Sequence, residues 1–91
     1  MRRVHVIVTG RVQGVGFRFT AQAAASRAGA TGWVRNRMDG TVEAQIEGSE
    51  AAVGAVLDAI RTGPRGSRVT QVEVEEIVPQ SSTVFEIRRD G

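Results

Sequence analysis

Val4-His5-Val6-Ile7-Val8-Thr9, then Gly10-Arg11-Val12-Gln13-Gly14-Val15-Gly16, then Phe17-Arg18 is the stretch on which the fold turns. Val4, Val6 and Val8 alternate with His5, Ile7 and Thr9, the two-residue period of a strand buried on at least one face. From Gly10 to Gly16 the chain reads as a glycine-punctuated turn. Phe17, Ala21, Ala24, Ala25 and Ala28 then recur at helical spacing in an alanine-rich segment, and Gly29 is a natural stop for it. A strand feeding directly into a helix through a short turn is the start of a β-α-β unit.

Working outward, the pattern repeats. Thr31 to Asn36 reads as a second strand, and Asp39-Gly40 as a hairpin turn. Val42, Ala44 and Ile46 alternate with Glu43, Gln45 and Glu47 as a third strand. Ser49 suits a helix N-cap, and Val53, Val56, Leu57 and Ile60 form one apolar stripe of a second helix that Gly63-Pro64 ends. Val69, Val72 and Val74 mark a fourth strand. There the double Glu75-Glu76 breaks the alternation and suggests a bulge or an exposed strand end. Pro79 to Ser82 turns the chain, and Val84 to Arg88 makes a short last strand with Phe85 and Ile87 on one face. The order is βαββαβ plus one strand. It predicts an α+β, ferredoxin-like split βαβ sandwich, one sheet with both helices on one face, over residues 1–91 as a single domain.

Composition narrows the function classes. The 91 residues suffice for one domain with a thin core. No apolar run approaches the ~20 residues of a membrane span, and the N-terminus lacks the apolar stretch of a signal peptide, so the chain reads as cytoplasmic. Cysteine is absent, which excludes thiol nucleophiles, disulfides and thiolate metal sites. All twelve basic residues are arginine, and with no Lys, Tyr or Cys to titrate, a net charge of only +2 carries the isoelectric point to about 11. The arginines are scattered, which fits steering of small anions and gives no stripe for a nucleic-acid backbone. The carboxylates show no metal-ligand spacing, and the lone His5 has no Cys or carboxylate partner in sequence. His5 therefore reads as a sheet-surface or hydrogen-bond-satisfied residue, Trp33 as core or a pocket wall, Arg11, Arg35 and Arg37 as solvated, and Glu73, Glu75 and Glu76 as an exposed strand face.

The glycines between the first strand and first helix allow a sharp turn with positive φ, in which successive amides converge on an anion at the helix N-terminus. The loop has neither the Gly-Lys-Ser/Thr ending of a Walker loop nor the third glycine of a dinucleotide fingerprint. On the glycines alone, an anion nest and a plain tight turn fit equally. Arg18 favours the anion, because a cation in a helix's first turn opposes the dipole unless a negative charge lies between them.

Val12-Gln13-Gly14-Val15-Gly16-Phe17-Arg18 resembles the phosphate-binding segment of the acylphosphatases. A second stretch, Gly32-Trp33-Val34-Arg35-Asn36 followed by Asp39-Gly40-Thr41-Val42 and Glu47-Gly48, matches the same family in order and spacing, and the likeness runs on to Phe85–Arg88. The resemblance implies an enzyme that hydrolyses the carboxyl–phosphate bond of acyl phosphates without metal or cofactor. It implies phosphate held by the amides of Gln13, Gly14, Val15, Gly16 and Phe17 and by Arg18, and attacking water oriented by Asn36. The implied ligands are an acyl phosphate and inorganic phosphate or sulphate, with no nucleic acid or membrane partner, and the expected state is a monomer. The chemistry is self-consistent: a carboxylate with a pKa near ~4 leaves without a general acid, and phosphoryl transfer asks mainly for positioning and charge stabilisation.

Two alternatives follow. One is a carbamoyl-phosphate-processing domain resembling the start of the hydrogenase-maturation carbamoyltransferases, which continue into cysteine-rich zinc-finger-like segments lacking here. The other is an RNA-binding module of the same topology. Gly16-Phe17-Arg18-Phe19 echoes its aromatic motif, yet the first and third strands carry no aromatic residue.

Overall fold

The computed structural model describes residues 1–91. Strand β1 (Arg2–Arg11) is an interior strand, second from one edge, of a five-stranded sheet. Its Val4, Val6 and Val8 are fully buried, as their alternation requires. Helix α1 (Phe17–Ala28) crosses back over the sheet to β2 (Thr31–Asn36), a hairpin leads to β3 (Val42–Gly48), and α2 (Glu50–Thr62) leads to β4 (Arg68–Ile77) and β5 (Phe85–Ile87). The sheet order is β4-β1-β3-β2-β5. All neighbours are antiparallel except β2 and β5, which run parallel. This is the split βαβ arrangement predicted from the periodicities, with the extra strand on the β2 edge.

The helices begin and end where their sequences allow. Ser49 caps α2 by accepting the Ala52 amide at 3.1 Å, and Gly29 closes α1 in the left-handed region with its amide on the Ala25 carbonyl. From α1 come Phe17, Ala21 and Ala25, and from α2 Val53, Val56, Leu57 and Ile60. They meet the inward residues Val34, Val42, Ala44 and Ile46 in one core. Burying each large aliphatic side chain contributes roughly 1.5–3 kcal/mol, and both helices need that face covered to persist.

Four local readings are refined. The strand runs on through Gly10 and Arg11, which pair with Val69 and Arg68, so the turn before α1 is shorter than the glycines suggested. Position 10 of the strand requires glycine, because a Cβ there would lie 2.0 Å from the Arg68 carbonyl oxygen. The register shift falls at Thr9/Gly10, and Glu75 and Glu76 keep regular pairing with His5 and Val4 on the exposed end of β4. The last strand proper is Phe85–Ile87, shorter at both ends than Val84–Arg88. Trp33 is buried, only 8% exposed, but it lies outside the main core cluster. As the neighbour of inward-facing Val34 in a pleated strand, it must point to the helix-free face, where the Arg88 and Arg35 guanidinium groups cover it at 4.7 and 5.4 Å from the ring centre.

That helix-free face is charged. Glu43 accepts from His5 at 2.6 Å and from Arg35 at 2.7 Å. Arg3, only 2% exposed, donates to Gln45, to Glu47 and to the Ser82 hydroxyl. Glu47 also accepts the Gln80 amide at 2.6 Å, so this buried ion pair fastens the link between β4 and β5 onto the sheet.

Candidate active site

The turn between β1 and α1 ends in two glycines with positive φ, Gly14 at 75° and Gly16 at 77°. A Cβ at either would meet nothing, so the glycines are there for backbone conformation and not for space. None of the amides of residues 13–16 donates to another part of the chain, and the first hydrogen bond of α1 runs from Thr20 to the Gly16 carbonyl. The helix N-terminus has no side-chain cap and no acid in its first turn. A run of unpaired amides therefore opens at the positive end of a helix dipole. Val12 and Phe17 anchor the turn at both ends by burial in the core, so Phe17 offers only its amide.

Arg18, in the first turn of α1, is about one-third exposed, and its Nη1 donates to Asp90 at 3.2 Å. That contact uses one nitrogen and leaves Nε and Nη2, the side-on fork of the guanidinium, without a protein partner.

Asn36 closes β2 at the same end of the sheet. Its side chain is 92% withdrawn from solvent (8% exposed), yet its Oδ1 has no hydrogen-bond partner. A buried, unsatisfied amide oxygen costs roughly 1–3 kcal/mol and calls for a reason. Beyond Asn36 the chain turns through Arg37–Thr41, closed by the Arg37 amide on the Thr41 carbonyl at 2.9 Å. Asp39 shapes this turn by accepting from the Thr41 hydroxyl and amide, and those bonds hold its carboxyl below the usual range.

Two ties bring Asn36 and the glycine turn together. Gln13 Nε2 donates to the Arg37 and Thr41 carbonyls at 2.8 and 2.9 Å. On the other side, the chain after β5 runs up beside β2: the Gly91 amide donates to the Asn36 carbonyl, the Met38 amide to the Gly91 carbonyl, and Asp90 meets Arg18. Residues 13–18 and Asn36 thus share one end of the sheet. Sequence reasoning missed the Gln13 side chain, which faces the turn and not an anion, and it missed Asp90. Asp90 lies 72 positions from Arg18, and no local pattern links them.

The most voluminous groove, about 640 Å³, lies elsewhere, between α1 and residues 83–85, and neither the glycine turn nor Asn36 lines it. An anion of phosphate size needs converging donors more than depth, so the amides and Arg18 weigh more than volume. No cluster of three or more His, Asp or Glu residues is placed to hold a metal ion.

Comparison with known proteins decides the family. The acylphosphatase family model matches residues 4–87. The chain belongs to the acylphosphatase family. An acylphosphatase of Synechococcus sp. is 52% identical over 86 residues, covering 94% of this chain and 92% of that one. The crystal structure of the acylphosphatase from Bacillus subtilis superposes with a TM-score of 0.94 at 40% identity, covering 97% of this chain and 99% of that one. The fold also matches 12% of full-length HypF in its phosphate- and nucleotide-bound form, with a TM-score of 0.89 and 26% identity over 98% of this chain. Family membership and the βαββαβ sheet with its added strand thus agree.

Proposed function

We propose that this acylphosphatase-family chain hydrolyses acyl phosphates at the β1–α1 turn, with Arg18 and Asn36 as its catalytic residues. The amides of Gln13, Gly14, Val15, Gly16 and Phe17 receive the phosphate oxygens, and the free fork of Arg18 closes on them with charge-assisted bonds. Asn36 holds the attacking water through Oδ1. The water oxygen forms a bond to phosphorus in line with the breaking P–O bond, and the carboxylate leaves with the bonding electron pair. The water's proton passes to the phosphate. The site needs no acid for a leaving group this stable, and positioning plus charge stabilisation supply the rest.

The observation that carries this reading is the Asn36 Oδ1 atom, buried and without a protein partner, on the residue just before the turn that Gln13 ties to the β1–α1 loop. On the competing RNA-binding reading, the helix-free face should offer aromatic rings on β1 and β3. It offers Arg3, His5 and Ile7 beside Glu43, Gln45 and Glu47. The proposal takes residues 1–91 as one catalytic domain working as a cytoplasmic monomer with no metal or cofactor; the monomer reading rests on one chain supplying every group the reaction uses.

The test is hydrolysis of benzoyl phosphate with and without EDTA, beside a simple phosphate monoester. Turnover should survive the chelator and the monoester should react poorly, because an alkoxide leaving group requires an acid. Asn36→Ala should lower kcat by on the order of 10² with little change in KM. Activity lost to EDTA, efficient monoester cleavage, or an Asn36→Ala variant that turns over normally at saturation overturns the reading.

A further inference from the structure

Gln13 is a loop residue whose backbone faces the anion-binding turn and whose side chain faces away from it. Both hydrogens of the side-chain amide are used, one on the Arg37 carbonyl and one on the Thr41 carbonyl, the two ends of the turn that follows Asn36. Each of those carbonyls already accepts one backbone amide, Arg37 from Gly40 and Thr41 from Arg37. The Gln13 bonds therefore do not build the turn, which closes without them. They set how far the turn sits from the β1–α1 loop. Gln13 is also the only residue of the 13–16 segment whose side chain hydrogen-bonds anything.

We infer that the Gln13 side chain is a positioning residue for hydrolysis: it fixes the distance between the phosphate cradle and Asn36. The inference rests on the proposed roles of the loop and Asn36. The loop amides hold phosphorus in place, and Asn36 holds the water. These two groups stand on different segments, β1–α1 and the end of β2. In-line attack requires the water within a few tenths of an ångström of one position, and a misplacement of about 1 Å can cost about 10²-fold in rate. A side-chain amide that binds both rims of the Arg37–Thr41 turn holds Asn36 through the residue that follows it. The Gly91 amide holds Asn36 from the opposite side through its carbonyl.

The experiment uses Gln13→Met, which keeps length without donors, and Gln13→Leu, which is also uncharged and close in volume, so neither adds charge beside the loop amides. Gln13 is half-buried, and Leu fills a similar volume, so loss of fold in the Met variant leaves the second one to decide. Each should remain folded and retain the stabilisation that inorganic phosphate confers, because the loop amides are unchanged. For benzoyl phosphate each should lower kcat roughly tenfold or more and shift KM less than about threefold. In an Asn36→Ala background, Gln13→Met should cost little further kcat, since the group it positions is gone. A merely structural role does not produce that non-additivity. Unchanged kcat in both variants, loss of the phosphate effect together with kcat, or full additivity with Asn36→Ala overturns the inference. Wild-type protein inert towards benzoyl phosphate sinks the functional reading itself, which keeps the two failures apart.

Discussion

Arg18→Ala separates an anion site from an ordinary turn, and the structure sets the size of the effect. In the free protein Arg18 makes one polar contact, to Asp90 at 3.2 Å, with side chains 34% and 58% exposed. An exposed pair of that kind is worth about 0–1 kcal/mol. In a domain of 91 residues its loss lowers Tm by less than about 8 °C. The effect on phosphate is larger. At ~100 times Kd, phosphate stabilises the wild type by about 2.7 kcal/mol, a rise in Tm of roughly 10–20 °C. A charge-assisted hydrogen bond contributes about 1.5–3 kcal/mol, so losing it weakens phosphate roughly 10- to 160-fold. At the same phosphate concentration the remaining stabilisation is about 0.3–1.3 kcal/mol, so most of the Tm rise disappears. The assay is thermal unfolding with and without phosphate, with sulphate as a second tetrahedral anion and chloride at matched ionic strength. If chloride stabilises as much as phosphate, or Arg18→Ala keeps the full phosphate shift, the β1–α1 segment is only a turn.

The glycines and the buried ion pair give further tests. Gly16→Ala places its Cβ in open space at a φ of 77°, so it should cost only about 1–2 kcal/mol of backbone strain. Gly32→Ala puts a Cβ 1.9 Å from the Gln45 carbonyl oxygen and should cost more than ~3 kcal/mol; equal urea midpoints for the two variants refute the distinction. Glu47 is held below the usual carboxyl range by the Gln80 amide, against the opposing effect of burial, with the Arg3 guanidinium adding to the lowering. Its stabilisation is therefore full above the ordinary glutamate pKa of about 4.5 and is lost as pH falls through the lower folded value. Glu47→Gln leaves Arg3 buried without its counter-charge. It should cost about 3–5 kcal/mol at pH 7 and flatten the acid limb of the stability profile measured by urea unfolding from pH 7 to 3.

Much of this molecule is legible in short stretches of chain. Val4, Val6 and Val8 specify a strand because strand side chains alternate, and Val53, Val56, Leu57 and Ile60 specify a helix because they recur on one side of a 3.6-residue turn. Ser49 and Gly29 mark helix ends because capping is a bond between near neighbours in sequence. The glycine turn before α1 was legible for the same reason: positive φ at Gly14 and Gly16 and an uncapped helix start are local properties of the backbone. Tertiary structure alone decided the rest. That Glu75 and Glu76 continue a regular ladder while the irregularity falls at Thr9/Gly10 depends on how β1 pairs with β4. Trp33 faces away from the core because its neighbour Val34 faces in, and the arginines that cover it come from β2 and from the segment after β5. Gln13 meets the turn after Asn36, and Asp90 meets Arg18, across separations of 24 and 72 residues. Such contacts leave no periodic trace in the chain. Their geometry is set by the order in which five strands pair, so the residues that hold the site in register become visible only once the sheet is assembled.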